Sequence, residues 1–224
     1  MTGAGEGGLC PPSFGLPPGY LDQSEGQALL RRLAELPGPR AVVALAGAPG
    51  SGKSTLAEAL VARVPGAVLL PMDGFHLDNR LLDQRGLRAR KGSPETFDAS
   101  GFVAVMNRVR AGGEVVFPVF DRGRDLAIAG AGVIDAGTRL VVVEGNYLLL
   151  DADPWRGARY DLTVMLDVPE AELRRRLTAR WQGQTAADAE AHLANDMTNA
   201  TLVLRGSRAA DLVLQSGHQE PGKG

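Results

Sequence analysis

Gly47-Ala48-Pro49-Gly50-Ser51-Gly52-Lys53-Ser54 fits G-x-x-x-x-G-K-[ST], the signature of a phosphate-binding loop. Both of its flanks agree with that reading. Ahead of it, Ala41-Val42-Val43-Ala44-Leu45-Ala46 is a continuous apolar run and predicts a buried parallel strand. Behind it, Thr55 to Arg63 predicts a helix, with Leu56, Leu60 and Val64 on one stripe and Pro65-Gly66 as its stop. A chance Gly-rich turn would not have both flanks in place. Glycines let the backbone curl so that its N–H groups point at phosphate oxygens. The helix N-terminus adds about half a positive charge at the same spot. The predicted nucleotide contacts are therefore Gly47, Ala48, Pro49, Gly50, Ser51, Gly52, Lys53, Ser54 and Thr55. Lys53 supplies a mobile charge for the β- and γ-phosphates, and Ser54 a hydroxyl for Mg²⁺.

The 224 residues predict one domain with a sizeable core. Residues 1–22 are expected to be a Gly- and Pro-rich disordered tail, 23–216 the folded domain and 217–224 a second tail. A formal net charge of −2 gives no strong pull toward nucleic acid or an anionic membrane. Cys10 is the only cysteine, so no intrachain disulfide forms and a reducing compartment is expected. No basic cluster followed by an apolar core opens the sequence, and no apolar run is long enough to span a bilayer. A soluble cytoplasmic protein is the expectation. Lysine is scarce, at Lys53, Lys91 and Lys223 only, so a lysine inside a motif carries more weight than usual.

Outward from the loop, strand and helix patterns alternate. Ser24 and Gln27 fit a capping box for a helix with Leu29, Leu30, Leu33 and Leu36 on its stripe, ended by Pro37-Gly38-Pro39. Ala67-Val68-Leu69-Leu70 predicts a second strand that delivers Met72-Asp73-Gly74-Phe75-His76. Residues 77–98 predict short helical pieces and loop. Asp98 reads as an N-cap for a helix carrying Phe102, Val105, Met106 and Val109, closed by Gly112-Gly113. Val115 to Phe120 predicts a strand that pairs as a hairpin with 126–134. Leu140 to Glu144 and Leu162 to Leu166 predict buried strands. Asp167 reads as a cap for the helix that starts at Pro169. Residues 185–204 predict a helix, and Asp211 to Leu214 a last strand. Strands alternating with helices predict an α/β fold, a parallel sheet with helices on both faces.

Ligands of such sheets sit at the carboxyl ends of the strands. Glu144 ends an apolar strand there, a position suited to Mg²⁺ held directly or through water. The alternative is a surface carboxylate. Asp73 is either a site carboxylate or the turn residue of an Asp-Gly pair. Arg176 and Arg180 are four residues apart on one edge of a helix whose Leu173, Leu177 and Trp181 form the buried stripe. That spacing suits a basic lid over a triphosphate, against the alternative of a solvated basic face. Arg175 points away from the core and serves as a contrast. His76 either contacts substrate or is packed beside Phe75.

These residues together resemble the uridine kinase, phosphoribulokinase and type I pantothenate kinase family of P-loop kinases. The likeness runs in order over 40–214. It is carried by Gly47–Ser54, Met72-Asp73-Gly74-Phe75-His76, Arg90-Lys91-Gly92-Ser93-Pro94-Glu95-Thr96-Phe97-Asp98, Phe117-Pro118-Val119-Phe120-Asp121-Arg122, Val143-Glu144-Gly145-Asn146-Tyr147-Leu148-Leu149 and the arginine helix. Within the family the chain is similar to the compact subgroup labelled nucleoside kinase-like or fructose-transport-system kinase. The resemblance implies a five-stranded parallel sheet in the order 2-3-1-4-5, with a small lid and hairpin region. It implies Asp73 against the acceptor hydroxyl, Ser54 and Glu144 serving Mg²⁺, Arg122 near the acceptor and Ser207-Arg208 near adenine. Uridine kinases carry Asp-Ser-Phe-Tyr where this chain has Asp-Gly-Phe-His.

The expected activity is ATP-dependent phosphoryl transfer to a hydroxyl of a sugar, nucleoside or pantothenate-like metabolite. Asp73, Lys53, Arg176 and Arg180 are the candidate catalytic residues; Asp73, His76 and Arg122 are the candidate acceptor contacts. The alternative is a nucleotide-hydrolysing regulatory or mechanical module without a small-molecule acceptor. No lysine follows an asparagine, so the Asn-Lys-x-Asp pattern of guanine-selective switches is absent. Oligomeric state stays open, a homodimer included.

Overall fold

The computed structural model describes residues 19–215. In chain order, a 3₁₀ turn (Tyr20–Asp22) leads to α1 (Ser24–Ala34), β1 (Ala41–Gly47), α2 (Lys53–Arg63) and β2 (Ala67–Pro71). A second 3₁₀ turn (Met72–Phe75), α3 (Asn79–Gln84) and the short turns Arg88–Arg90 and Pro94–Thr96 follow. Then come α4 (Ala99–Ala111), β3 (Val115–Asp121), β4 (Leu126–Ile134), β5 (Leu140–Gly145), the turn Trp155–Gly157, β6 (Leu162–Asp167), α5 (Glu170–Arg180), α6 (Ala186–Gly206) and β7 (Leu212–Gln215).

Five strands form one parallel sheet in the order β2-β5-β1-β6-β7. Counted among themselves these strands run 2-3-1-4-5, the order implied by the resemblance. β3 and β4 stand apart as an antiparallel hairpin. Every residue of β1 and β5 is buried, because helices cover both faces of the sheet. The period of two splits each strand between two cores. Val43 and Leu45 of β1 join Val142 and Val164 under Leu29, Leu33, Leu56 and Leu60 of α1 and α2. Val42, Ala44 and Ala46 join Val141 and Val143 under Phe102, Met106 and Val109 of α4, with Tyr147 and Trp155. Asp98 caps α4 as its sequence predicts, accepting the Gly101 N–H at 2.8 Å.

Three details differ from the sequence reading. Tyr20–Asp22, assigned to the tail, is part of the folded body: Tyr20 and Leu21 are buried in the α1–α2 core. Ser24 is the first residue of α1 rather than its cap; Gln23 holds the cap position, and Gln27 donates instead to the Leu21 carbonyl at 2.8 Å. Asp167 caps nothing; it accepts from the Gln215 side chain at 3.1 Å. The C-terminal tail 217–224 and most of the N-terminal tail, with Cys10, lie outside the described residues. Among the described residues, no helix is long and apolar enough to cross a membrane.

Candidate active site

The phosphate-binding loop joins β1 to α2, so Lys53 and Ser54 open a helix whose free N–H groups face the carboxyl end of the sheet. Gly50 has φ +79° and Gly52 φ +93°, the left-handed region that favours glycine. A Cβ on Gly50 would also lie 3.2 Å from Leu177, because α5 packs directly on the loop. Thr55 lies in the first turn of α2.

Glu144 reaches this place through strand register. It is level with Leu45 of β1 and Pro71 of β2. Its carboxylate is 5% exposed and accepts the Ser54 hydroxyl at 3.2 Å. Burial raises its pKa, opposed by the charge of Lys53. Burial lowers the pKa of Lys53, opposed by Glu144 and Asp73. Glu144 and Lys53 thus share a desolvated patch, with Asp73 at its more exposed edge. Ser54 and Glu144 supply hard oxygen donors, the donor type that Mg²⁺ takes alongside its waters and phosphate oxygens.

Asp73 lies in the 3₁₀ turn just past β2. Its partner is Arg122, from the turn of the β3–β4 hairpin, whose Nη2 donates to Asp73 Oδ2 at 2.8 Å. Arg122 is mostly exposed. The hairpin seats directly on Gly74, where a Cβ would collide with the Pro118 carbonyl. His76 stacks on Phe97 with ring centroids 4.0 Å apart and tilts against Phe120 at 4.9 Å. Burial pushes its pKa down to about 4 despite the nearby Asp73 charge, so the imidazole is neutral at pH 7.

The two arginines of the predicted lid sit in different surroundings. Arg176 is buried; it donates to Glu172 at 2.7 Å and to the Gly50 and Ser51 carbonyls at 3.3 Å each. These bonds tie the arginine directly to the backbone of the phosphate-binding loop. Arg180 is about half exposed, 4.0 Å from Asp196, and close enough that its charge lowers the Lys53 pKa. Arg175 pairs with Glu172 on the outside of α5, as its phase predicts. Ser207 and Arg208 are tied to the segment after β5, where the Arg208 N–H donates to the Leu149 carbonyl at 2.8 Å.

Several groups beside these residues escape the sequence reading. Asp196 of α6 accepts the Trp181 indole N–H at 3.0 Å, and burial raises its pKa against that bond. The Tyr147 hydroxyl donates to the Gly92 carbonyl at 2.6 Å. Lys91 binds Asn79 and Asp125. Lys91 and Tyr147 stand inside stretches that carry the resemblance, whereas Asp196, Asn79 and Asp125 do not.

Comparison with known proteins adds the following. The family described as methylmalonyl Co-A mutase-associated GTPase MeaB matches residues 19–67, the unit built around the phosphate-binding loop. The uncharacterized protein YggC of Escherichia coli (strain K12) is 39% identical over 84% of this chain and 84% of its own length. A Schizosaccharomyces pombe protein provisionally named uridine kinase is 34% identical over 79% of this chain and 83% of its own. The crystal structure of a protein provisionally named fructose transport system kinase from Silicibacter sp. TM1040 superposes with a TM-score of 0.77 at 45% identity, covering 84% of this chain and 96% of that one.

Proposed function

The chain belongs to the uridine kinase, phosphoribulokinase and type I pantothenate kinase family of P-loop kinases, and on that premise we propose that it transfers the γ-phosphate of ATP to a hydroxyl of a small metabolite. The observation that carries this reading is the joining of two strand ends at the loop. Lys53 lies within the fields of both Glu144 and Asp73, while Glu144 is committed to Ser54. Glu144 is engaged at the loop, and Asp73 pairs with Arg122 of the hairpin turn on the acceptor side.

In this reading the loop N–H groups and Lys53 hold the β- and γ-phosphates. Ser54 and Glu144 would hold Mg²⁺, which when bound neutralises charge on the phosphates. Asp73 orients the acceptor hydroxyl and takes its proton as the bond to phosphorus forms. Glu144 suits that task less, because its Oε2 already accepts from Ser54. Arg122, paired with Asp73 through Nη2, stays beside it and offers its remaining N–H donors to the acceptor. His76, neutral and held between Phe97 and Phe120, lines the acceptor side as a hydrogen-bonding group without charge. Arg180 reaches the transferring phosphate from α5, while Arg176 keeps the loop in shape for it. Sugars, nucleosides and pantothenate-like alcohols are the acceptor classes to test.

The MeaB match favours a second reading, nucleotide hydrolysis with no acceptor, over its 19–67 span. A panel of hydroxyl metabolites scored for acceptor-dependent ADP release separates the two. The kinase reading expects release that needs both ATP and one acceptor class. Equal release without any acceptor would replace it with the hydrolase. With the best acceptor, Asp73→Asn keeps the shape but not the base, and is expected to lower kcat by about 10²–10⁴ while calorimetry finds ATP binding little changed. A drop of less than about threefold, with single-turnover rates showing that chemistry limits, would remove Asp73 from the reaction.

A further inference from the structure

We infer that Lys91 is a positioning residue for the acceptor side: it latches the hairpin turn 121–125 to α3 and so holds Arg122 over Asp73. This rests on the reading above that the acceptor meets Asp73. The ammonium of Lys91 donates to Asp125 Oδ1 at 2.7 Å, to the Asp125 carbonyl at 3.0 Å and to Asn79 Oδ1 at 2.8 Å. A lysine has three N–H donors, so none remains for a substrate. The same ammonium lies 5.1 Å above the centre of the Phe120 ring, a cation–π contact with the strand that leads into the turn. Asn79 closes the triangle by donating to Asp125 Oδ2 at 2.8 Å.

The latch has firm ground behind it. The Lys91 carbonyl accepts from Asn195 of α6 at 2.9 Å, and the next carbonyl, of Gly92, accepts from Tyr147 beyond β5. The Lys91 side chain is 16% exposed and that of Asp125 about half exposed, so the pair is partly shielded from water on the lysine side. Arg122 has no such anchorage. Its ion pair with Asp73 is its sole contact of that kind among the described residues, and it stands three positions before Asp125 in a four-residue turn. Asp125 itself has φ +55°, in the left-handed region that aspartate enters more readily than most non-glycine residues. Lys91 and Asn79 bind it in that conformation. Breaking the latch frees the turn, and with it the guanidinium.

The experiment uses the full chain with Lys91→Met, which keeps an unbranched apolar stem, and Asp125→Asn, which breaks the same pair from the other side. Hydrogen exchange followed by mass spectrometry is the first readout. Peptides covering 121–125 are expected to exchange about tenfold faster in both variants, while α2 peptides do not change. The second readout is kinetic. With the best acceptor, its KM rises about tenfold and the KM for ATP stays within about twofold. Lys91→Met adds little on an Arg122→Ala background, because Lys91 acts through Arg122. Unchanged exchange at 121–125 in both variants would overturn the latch, as would full additivity with Arg122→Ala. A wild-type protein that releases ADP without an acceptor would overturn the kinase reading alone, and the exchange result would still decide the latch. Should Lys91→Met fail to fold, Asp125→Asn decides both readouts.

Discussion

The loop side and the Asp73 side of the candidate site are built in opposite ways. The loop side is contiguous, residues 47–55, and presents backbone N–H groups fixed by two elements of a buried core. The Asp73 side is assembled from residues far apart in sequence and held by side chains: Arg122 on Asp73, Lys91 on Asp125, His76 between two phenylalanines. Backbone geometry tolerates change in what surrounds it, whereas each side-chain bond is lost with one substitution. The nucleotide half of such a kinase can therefore stay constant while the acceptor half changes its specificity.

The largest expected effect lies on the loop side. Lys53→Ala removes the one full charge the loop offers to phosphates and should lower kcat by about 10³–10⁵, by analogy with the worth of an arginine finger that neutralises charge in transfer. Far-UV circular dichroism should remain native. Turnover near that of the wild type would show that the loop works through its backbone alone.

Arg176 and Arg180 sharpen the contrast within one helix. Arg176→Ala breaks a buried pair; because Glu172 keeps Arg175, the expected loss is about 2–3 kcal/mol by urea denaturation, below the full range for a stranded buried charge. Its kinetic effect should fall on the KM for ATP, since the loop loses its brace. Arg180→Ala should leave stability within about 0.5 kcal/mol and lower kcat about tenfold or more. Arg175→Ala is the control and should be nearly silent in turnover. If Arg175→Ala slows turnover as much as Arg180→Ala, the assignment of faces on α5 is wrong.

A further effect, outside turnover, concerns pH. His76 has its pKa depressed from 6.5 to about 4 in the folded chain. Between those values the unfolded chain binds the extra proton, so stability rises with pH there. The contribution is complete above pH 6.5 and is lost as pH falls toward 4. It amounts to about 2 kcal/mol between pH 7.5 and 4.5, and His76→Gln should lack it when the two proteins are compared by urea denaturation at both pH values. Equal pH slopes in the two proteins would mean that His76 takes up its proton while folded.

The same contrast explains what was legible in the sequence. The sheet and its helices follow from apolar runs and stripes, and the loop from one motif whose residues are neighbours. Glu144 was readable because a lone acid at the end of an apolar strand has one place to go. The pairs Lys91–Asp125 and Asn79–Asp125 span 34 and 46 residues and obey no period, so nothing local announces them. The 3₁₀ turn Tyr20–Asp22 was missed because its glycine- and proline-rich approach hides two residues that bury against α1. Arg176 and Arg180 share a helical edge, but spacing alone could not show that one of them would be buried against the loop carbonyls and Glu172.

Gly74 has a consequence for how variants of this family can be interchanged. Since a Cβ there would meet the Pro118 carbonyl, the hairpin's closeness to Asp73 depends on the absence of a side chain at that one position. Grafting the Asp-Ser-Phe-Tyr of uridine kinases onto this chain would push the hairpin outward together with the exchange of His76. The short motif and the distant hairpin are thus sterically coupled, and a chimera that swaps one of them must carry the other across with it.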